Sequence, residues 1–136
     1  MFRLVLFDFD GTLADSLSHA QTLFNAMALR YGMKPIEDWD AERRQGAMEF
    51  VRNHRVPLLR LPFLLREYFR KQREIIDEVR LFDGLEQVLP AMARTCRLGV
   101  VSSNHPHNIR LCLEGNGVAD LFESVIGIGQ IGRAHV

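Results

Sequence analysis

The chain has 136 residues, enough for one domain with its own core and too few for two full domains. Lys plus Arg balances Asp plus Glu at 17 each, so no net field draws the molecule to nucleic acid or to an anionic membrane surface, and a small molecule is the expected partner. Cys96 and Cys112 lack any CxxC spacing, which gives no metal framework and suits a reducing, cytoplasmic setting.

Phe2 to Phe9 is almost continuously apolar and β-favouring, as expected of a central parallel strand covered on both faces. Arg3 interrupts it and Asp8 closes it, so it is too short for a signal peptide or a membrane span. Asp8, Asp10 and Gly11 follow at its end. Residues two apart on an extended strand point the same way, so two carboxylates meet where a glycine turn holds them open. Such a pair repels itself unless a cation lies between. A hard ion such as Mg²⁺ takes oxygen ligands, keeps positions for phosphate oxygens and leaves one carboxylate free to attack phosphorus. A calcium loop fails, because counting from Asp8 puts Leu13 at the sharp-turn glycine and His19 at the bidentate glutamate. The plain alternative is a solvated turn.

Asp15 and Ser16 offer N-caps to a helix carrying Leu17, Ala20, Phe24, Met27 and Tyr31, which Gly32 ends. From Ile36 to Arg80 the composition predicts helices only, divided at Pro57 and Pro62. Arg43, Arg44, Gln45 and Gly46 suit a substrate carboxylate or a second phosphate, although a solvated helix face is the plainer reading. Arg60 to Arg80 is basic and amphipathic, but Glu67, Glu74, Asp77 and Glu78 offset the charge, which favours a helix packed on protein over one lying on a membrane.

Leu81 to Gly84 reads as a connector, followed by a helix with Leu85, Val88, Leu89 and Met92 on one face. Arg97 to Ser102 returns to strand character, Asn104 and Pro106 open a further helix towards Gly115, and Ser124 to Ile128 reads as a third strand. This order predicts an α/β fold: a partial, doubly wound parallel sheet with right-handed crossovers and an all-helical insertion after its first strand. Ser102, Ser103 and Asn104 fall between a strand and a helix N-terminus, where hydroxyls, backbone N–H groups and the helix dipole suit phosphate oxygens; simple helix capping is the alternative. His105 and His107 have no third ligand near in sequence, so a loop is favoured over a zinc site. Gly127, Gly129 and Gly132 satisfy GxGxxG, yet no helix, second strand or ribose-binding acid follows, which disfavours a nucleotide site.

The run Asp8-Phe9-Asp10-Gly11-Thr12-Leu13-Ala14-Asp15-Ser16 resembles the first motif, DxDGTLxDS, of the haloacid dehalogenase-like (HAD) superfamily at every fixed position. Val100-Val101-Ser102-Ser103-Asn104 resembles the second, a Ser or Thr ending a hydrophobic strand. The resemblance implies a HAD-like, Rossmann-type core at residues 1–15 and 83–129 and an α-helical cap at residues 16–82. It implies Asp8 as the nucleophile that forms an aspartyl-phosphate, and Asp10 as general acid and then base. Asp8 and the backbone carbonyl of Asp10 would ligate Mg²⁺. Gly11 and Thr12 would lie near the phosphate, Ser16 would cap the next helix, and Ser102, preferred over Ser103, would bind phosphate beside Asn104.

The implied activity is Mg²⁺-dependent hydrolysis of a small phosphomonoester, in the branch of phosphoglycolate phosphatase and β-phosphoglucomutase; a phosphomutase or a non-catalytic truncated product are the alternatives. A protonatable Asp10 favours phosphoester chemistry over dehalogenation. The family's third-motif Lys and fourth-motif acidic pair have no counterpart after Gly127, and Arg133 is a poor stand-in for Lys. Ile131 to Val136 match one reading frame of a common sequencing-adapter oligonucleotide, so residues 130–136 are expected to be a non-native tail on an incomplete core. The sheet is then expected to leave an apolar edge near Ser124 to Ile128. Substrate identity and oligomeric state stay open.

Overall fold

The computed structural model describes residues 3–130. Phe2, Gly132, Arg133 and the adapter-like residues 131–136 lie outside them. Three parallel strands, β1 (Leu4–Phe7), β2 (Arg97–Val101) and β3 (Phe122–Ile126), form one sheet in the order β1-β2-β3. Leu4 stands opposite Arg97 and Phe7 opposite Val100. Between β2 and β3 the register slips at Leu98 and Gly99, so that Gly99 faces Ser124. Parallel neighbours need crossovers, and these carry α5 (Leu85–Ala93) and α6 (Pro106–Gly115).

One side of the sheet is a closed core. Val5, Phe7, Leu98, Val100, Phe122 and Val125 pack with Leu89 of α5 and with Ile109, Cys112 and Leu113 of α6. The other residue parity of β1 is open: Leu4 and Leu6 are 56% and 54% exposed. Among the described residues β2 is therefore the central strand and β1 an edge, which corrects the expectation that Phe2 to Phe9 is covered on both faces. Leu4 and Leu6 therefore form an open apolar face on β1, while β3 is, as expected, an edge strand without an outer partner among the described residues, with Ile128 just past it 36% exposed. At the opposite edge β3 begins at Phe122 and keeps Phe122 and Val125 buried, because its side chains sit beneath the crossover helix.

Two compact units divide the chain. Leu17–Arg73 is one; the segments on either side of it make the other. The first contains α1 (Leu17–Tyr31), α2 (Trp39–Glu42), α3 (Ala47–Asn53) and most of α4 (Leu61–Glu74), with Met27, Ala28, Met33 and Leu64 as its buried cluster. Pro57 precedes a single 3₁₀ turn, Leu58–Arg60, and Pro62 sits in the first turn of α4, where its missing N–H costs nothing. Glu67 is buried on α4, where Arg30 and Tyr31 of α1 donate to its carboxylate at 3.0 and 2.5 Å. His54 is buried between the rings of Phe24 and Phe50, with Nδ1 2.6 Å from the Lys34 carbonyl and Nε2 2.8 Å from Glu42.

The boundary differs from expectation at 74–82. Ile76, Val79 and Leu81 are buried in the core of the sheet unit. The Asp15 N–H donates to the Arg80 carbonyl and the Phe82 N–H to the Leu13 carbonyl, so this segment is tied to the loop after β1. No helix among the described residues is long and apolar enough to cross a membrane.

Candidate active site

The site is assembled from the loops that leave the carboxyl ends of β1, β2 and β3. β1 stops at Phe7, short of the predicted Phe9, because the Phe9 carbonyl turns to accept the N–H groups of Thr12, Leu13 and Ala14 at 3.2, 3.0 and 3.0 Å. Phe9 itself is fully buried and anchors the turn. Gly11 supplies the left-handed conformation it needs, with φ +75°. Asp8 is exposed, and its Oδ1 accepts the Phe9 N–H at 2.7 Å.

Asp10 is placed differently from Asp8. Oδ1 accepts the Ser16 hydroxyl at 2.7 Å, and Oδ2 accepts the Asn104 side-chain amide at 2.9 Å. Burial pushes its pKa above the ordinary 3.8 and the nearby Asp8 charge adds to that rise, while the bonds from Ser16 and Asn104 oppose it. A partly desolvated carboxyl that can hold a proton thus lies beside an exposed carboxylate. This is the division of labour that acid–base chemistry requires.

After β2, Ser102 and Asn104 are buried and Ser103 is exposed. The Ser102 hydroxyl accepts the Asn104 N–H at 3.1 Å, and Asn104 Oδ1 accepts the His105 N–H at 2.7 Å. The Ser102 N–H donates to Ile126 O at 2.9 Å, and the Ile128 N–H donates to Asn104 O at 2.8 Å. The loop is therefore held by β3 and the residues after it. Gly127 makes that possible: a Cβ there would lie 2.5 Å from Asn104 O and 2.6 Å from Pro106 Cδ. His105 caps α6, its Nδ1 accepting the His107 N–H at 3.2 Å, and Pro106 occupies the first turn.

Asp8 and Asp10 offer oxygen donors that fit a hard cation. The Asp10 carboxylate oxygens are already engaged by Ser16 and Asn104, whereas its carbonyl accepts no hydrogen bond from the described residues. The Asp8 carboxylate and the Asp10 carbonyl are the ligands at hand. Among the described residues no group of three or more His, Cys, Asp or Glu is placed to hold a metal ion.

A model of the haloacid dehalogenase-like hydrolases matches residues 5–135. The chain belongs to that family. A phosphoglycolate phosphatase of Synechococcus elongatus is 34% identical over 126 residues, which cover 90% of this chain and 59% of that protein. A crystal structure from Lactobacillus plantarum, of a protein proposed to be a phosphoglycolate phosphatase, has a TM-score of 0.79 at 20% identity and covers 95% of this chain and 63% of its own. YfnB of Bacillus subtilis, a proposed HAD hydrolase with magnesium bound, has a TM-score of 0.63 at 18% identity, covering 96% and 67%. The chain thus spans less than two thirds of the first two of these relatives.

Within this HAD-like hydrolase, the structure brings Asp8, Asp10, Gly11, Ser102 and Asn104 into one set of loops, with Thr12 and Ser103 exposed on them. Two residues carry more than their sequence reading gave them. Ser16 reads as a helix cap, yet its hydroxyl donates to Asp10. Gly127 reads as part of a glycine-rich motif, yet it is the clearance for the Asn104 loop. For Ser16 the available signal is its fixed place in the motif, and for Gly127 its position one residue past an apolar strand.

Proposed function

We propose that the whole protein is a Mg²⁺-dependent phosphomonoesterase that works through an aspartyl-phosphate on Asp8. The observation that carries this reading is the contrast between exposed Asp8 and half-buried Asp10, whose pKa is raised and whose carboxyl is held by Ser16 and Asn104. An Asp8 carboxylate oxygen attacks phosphorus in line with the ester oxygen. Asp10 gives its proton to that oxygen as the P–O bond breaks, so an alcohol leaves. Asp10, now a carboxylate, takes a proton from water, whose oxygen attacks the Asp8 phosphate; inorganic phosphate leaves and both aspartates return to their starting states.

The Ser102 hydroxyl and the Ser103 N–H hold the phosphate oxygens, and Asn104 positions Asp10. The Asp8 carboxylate and the Asp10 carbonyl would hold Mg²⁺, which when bound neutralises charge between carboxylate and phosphate. The curated relative supports a small substrate such as phosphoglycolate, and the helical unit Leu17–Arg73 takes the part of the cap. Free thiols at Cys96 and Cys112 support a cytoplasmic setting.

A second reading, a phosphate-binding module without turnover, rests on the Ser102 loop before α6 alone, without a role for Asp8. One experiment separates the two. Hydrolysis of p-nitrophenyl phosphate with Mg²⁺ is compared for the whole protein and for its Asp8→Asn variant. Activity, with a phosphate adduct on Asp8 in the mass spectrum and loss in Asp8→Asn, is the expected result. Phosphate binding without turnover would favour the second reading, and activity that survives Asp8→Asn would remove the mechanism.

A further inference from the structure

The helical unit carries an open groove of about 490 Å³, lined by Met48, Val51, Arg52, Arg55, Val56 and Leu58. Its walls combine four apolar side chains with two guanidinium groups. Neither Arg52 nor Arg55 has a side-chain hydrogen bond or ion pair among the described residues. Two uncommitted arginines beside apolar surface are complementary to a molecule that is anionic at one end and aliphatic at the other.

The backbone beneath the groove adds an independent sign. Helix α3 closes with the Arg55 N–H donating to Arg52 O at 3.3 Å and the Val56 N–H to Val51 O at 3.0 Å. This paired closure places Arg55 at the position that favours glycine, and Arg55 is the single non-glycine residue with positive φ (57°) among the described residues. A glycine there would relieve the left-handed strain, so arginine at this position costs local stability. The closure also brings Val51 and Val56, both groove residues, to the positions that pack against each other in such a terminus. Met48 adds an unbranched, adaptable wall, and it is 61% exposed.

We propose that this groove binds a small free aliphatic carboxylate, the carboxylate pairing with Arg52 and Arg55 and the chain lying against Met48, Val51, Val56 and Leu58. The site lies wholly within the helical unit, and its occupancy does not depend on the phosphatase chemistry. Both arginines are solvent-facing, so their replacement leaves the fold in place.

The test is a titration of the full chain with octanoate, followed by methyl and amide NMR shifts. Saturable shifts confined to the groove residues are expected, with a Kd of about 1 mM for a ligand of this size. Arg55→Gly is expected to keep or raise Tm while weakening octanoate at least about tenfold, and Arg52→Gln to weaken it similarly with Tm unchanged. Octanol, with the same chain and no charge, is expected to bind about tenfold more weakly. Equal binding of octanol and octanoate would overturn the proposal, as would unchanged affinity in Arg55→Gly. So would binding only to vesicles of phosphatidylcholine and phosphatidylserine, or self-association of the chain through the groove that excludes octanoate.

Discussion

Asn104 donates its side-chain amide to Asp10 Oδ2 at 2.9 Å, joining two loops that are 94 positions apart in sequence. The amide cannot turn round, because its oxygen already accepts the His105 N–H. One asparagine therefore fixes both the start of α6 and the orientation of the proposed acid–base carboxyl.

Asn104→Ala removes a bond that lowers the Asp10 pKa, so that pKa is expected to rise further. The kcat for phosphomonoester hydrolysis is expected to fall about 10–100-fold, with the alkaline limb of its pH profile moved upward. A carboxyl NMR titration of Asp10 together with the profile checks this. An Asp10 midpoint that stays put in the variant would show that the contact does not tune the acid.

Asp10 also links stability to pH. Folding raises its pKa above 3.8, so the folded state holds this proton more tightly than the unfolded chain does. The resulting stability is fully present below about pH 4 and is lost as pH rises through the folded pKa. Asp10→Asn is accordingly expected to raise Tm relative to wild type more at neutral pH than at pH 4. Thermal unfolding of both forms across that range supplies the comparison.

Gly127→Ala is expected to cost about 1–3 kcal/mol, because the added methyl meets backbone oxygen and the Pro106 ring rather than a flexible side-chain end. Denaturant unfolding measures the cost. The displaced Ser102 to Asn104 loop is expected to weaken phosphate binding as well.

His54→Ala removes a buried ring from between Phe24 and Phe50 together with its contacts to the Lys34 carbonyl and Glu42. A loss of about 2–4 kcal/mol is expected, concentrated in the helical unit. Hydrogen exchange locates it: amides of α1 and α3 lose protection first, while those of β2 keep theirs.

Leu4→Lys and Leu6→Lys fall on the open side of an edge strand, where a charge replaces exposed apolar surface. Each is expected to change stability by less than about 0.5 kcal/mol and to reduce concentration-dependent association. Equilibrium unfolding and light scattering report the two effects. A large destabilisation would mean that these leucines are covered in solution.

Local chemistry made much of this protein legible in its sequence. The apolar run before Asp8, the glycine that follows Asp10, the helical spacing from Leu17 to Tyr31 and the serines after Val101 each act over a few residues, so strand, turn, helix and motif are written where they occur. Placement beyond that range was not. Whether β1 is central or an edge depends on which strands pair beside it, and alternation of apolar residues is the same in either case. That Ile76, Val79 and Leu81 belong to the sheet core depends on packing partners at Cys112 and Leu113, more than thirty positions away. Ser16 and Asn104 read as helix caps because capping is a local bond. Only the folded chain brings both to Asp10, since those bonds join loops whose ends no nearby residue can specify, and it is the burial of Asp10 between those loops, against the opposing pull of the two bonds, that turns one of two similar aspartates into a group able to carry a proton.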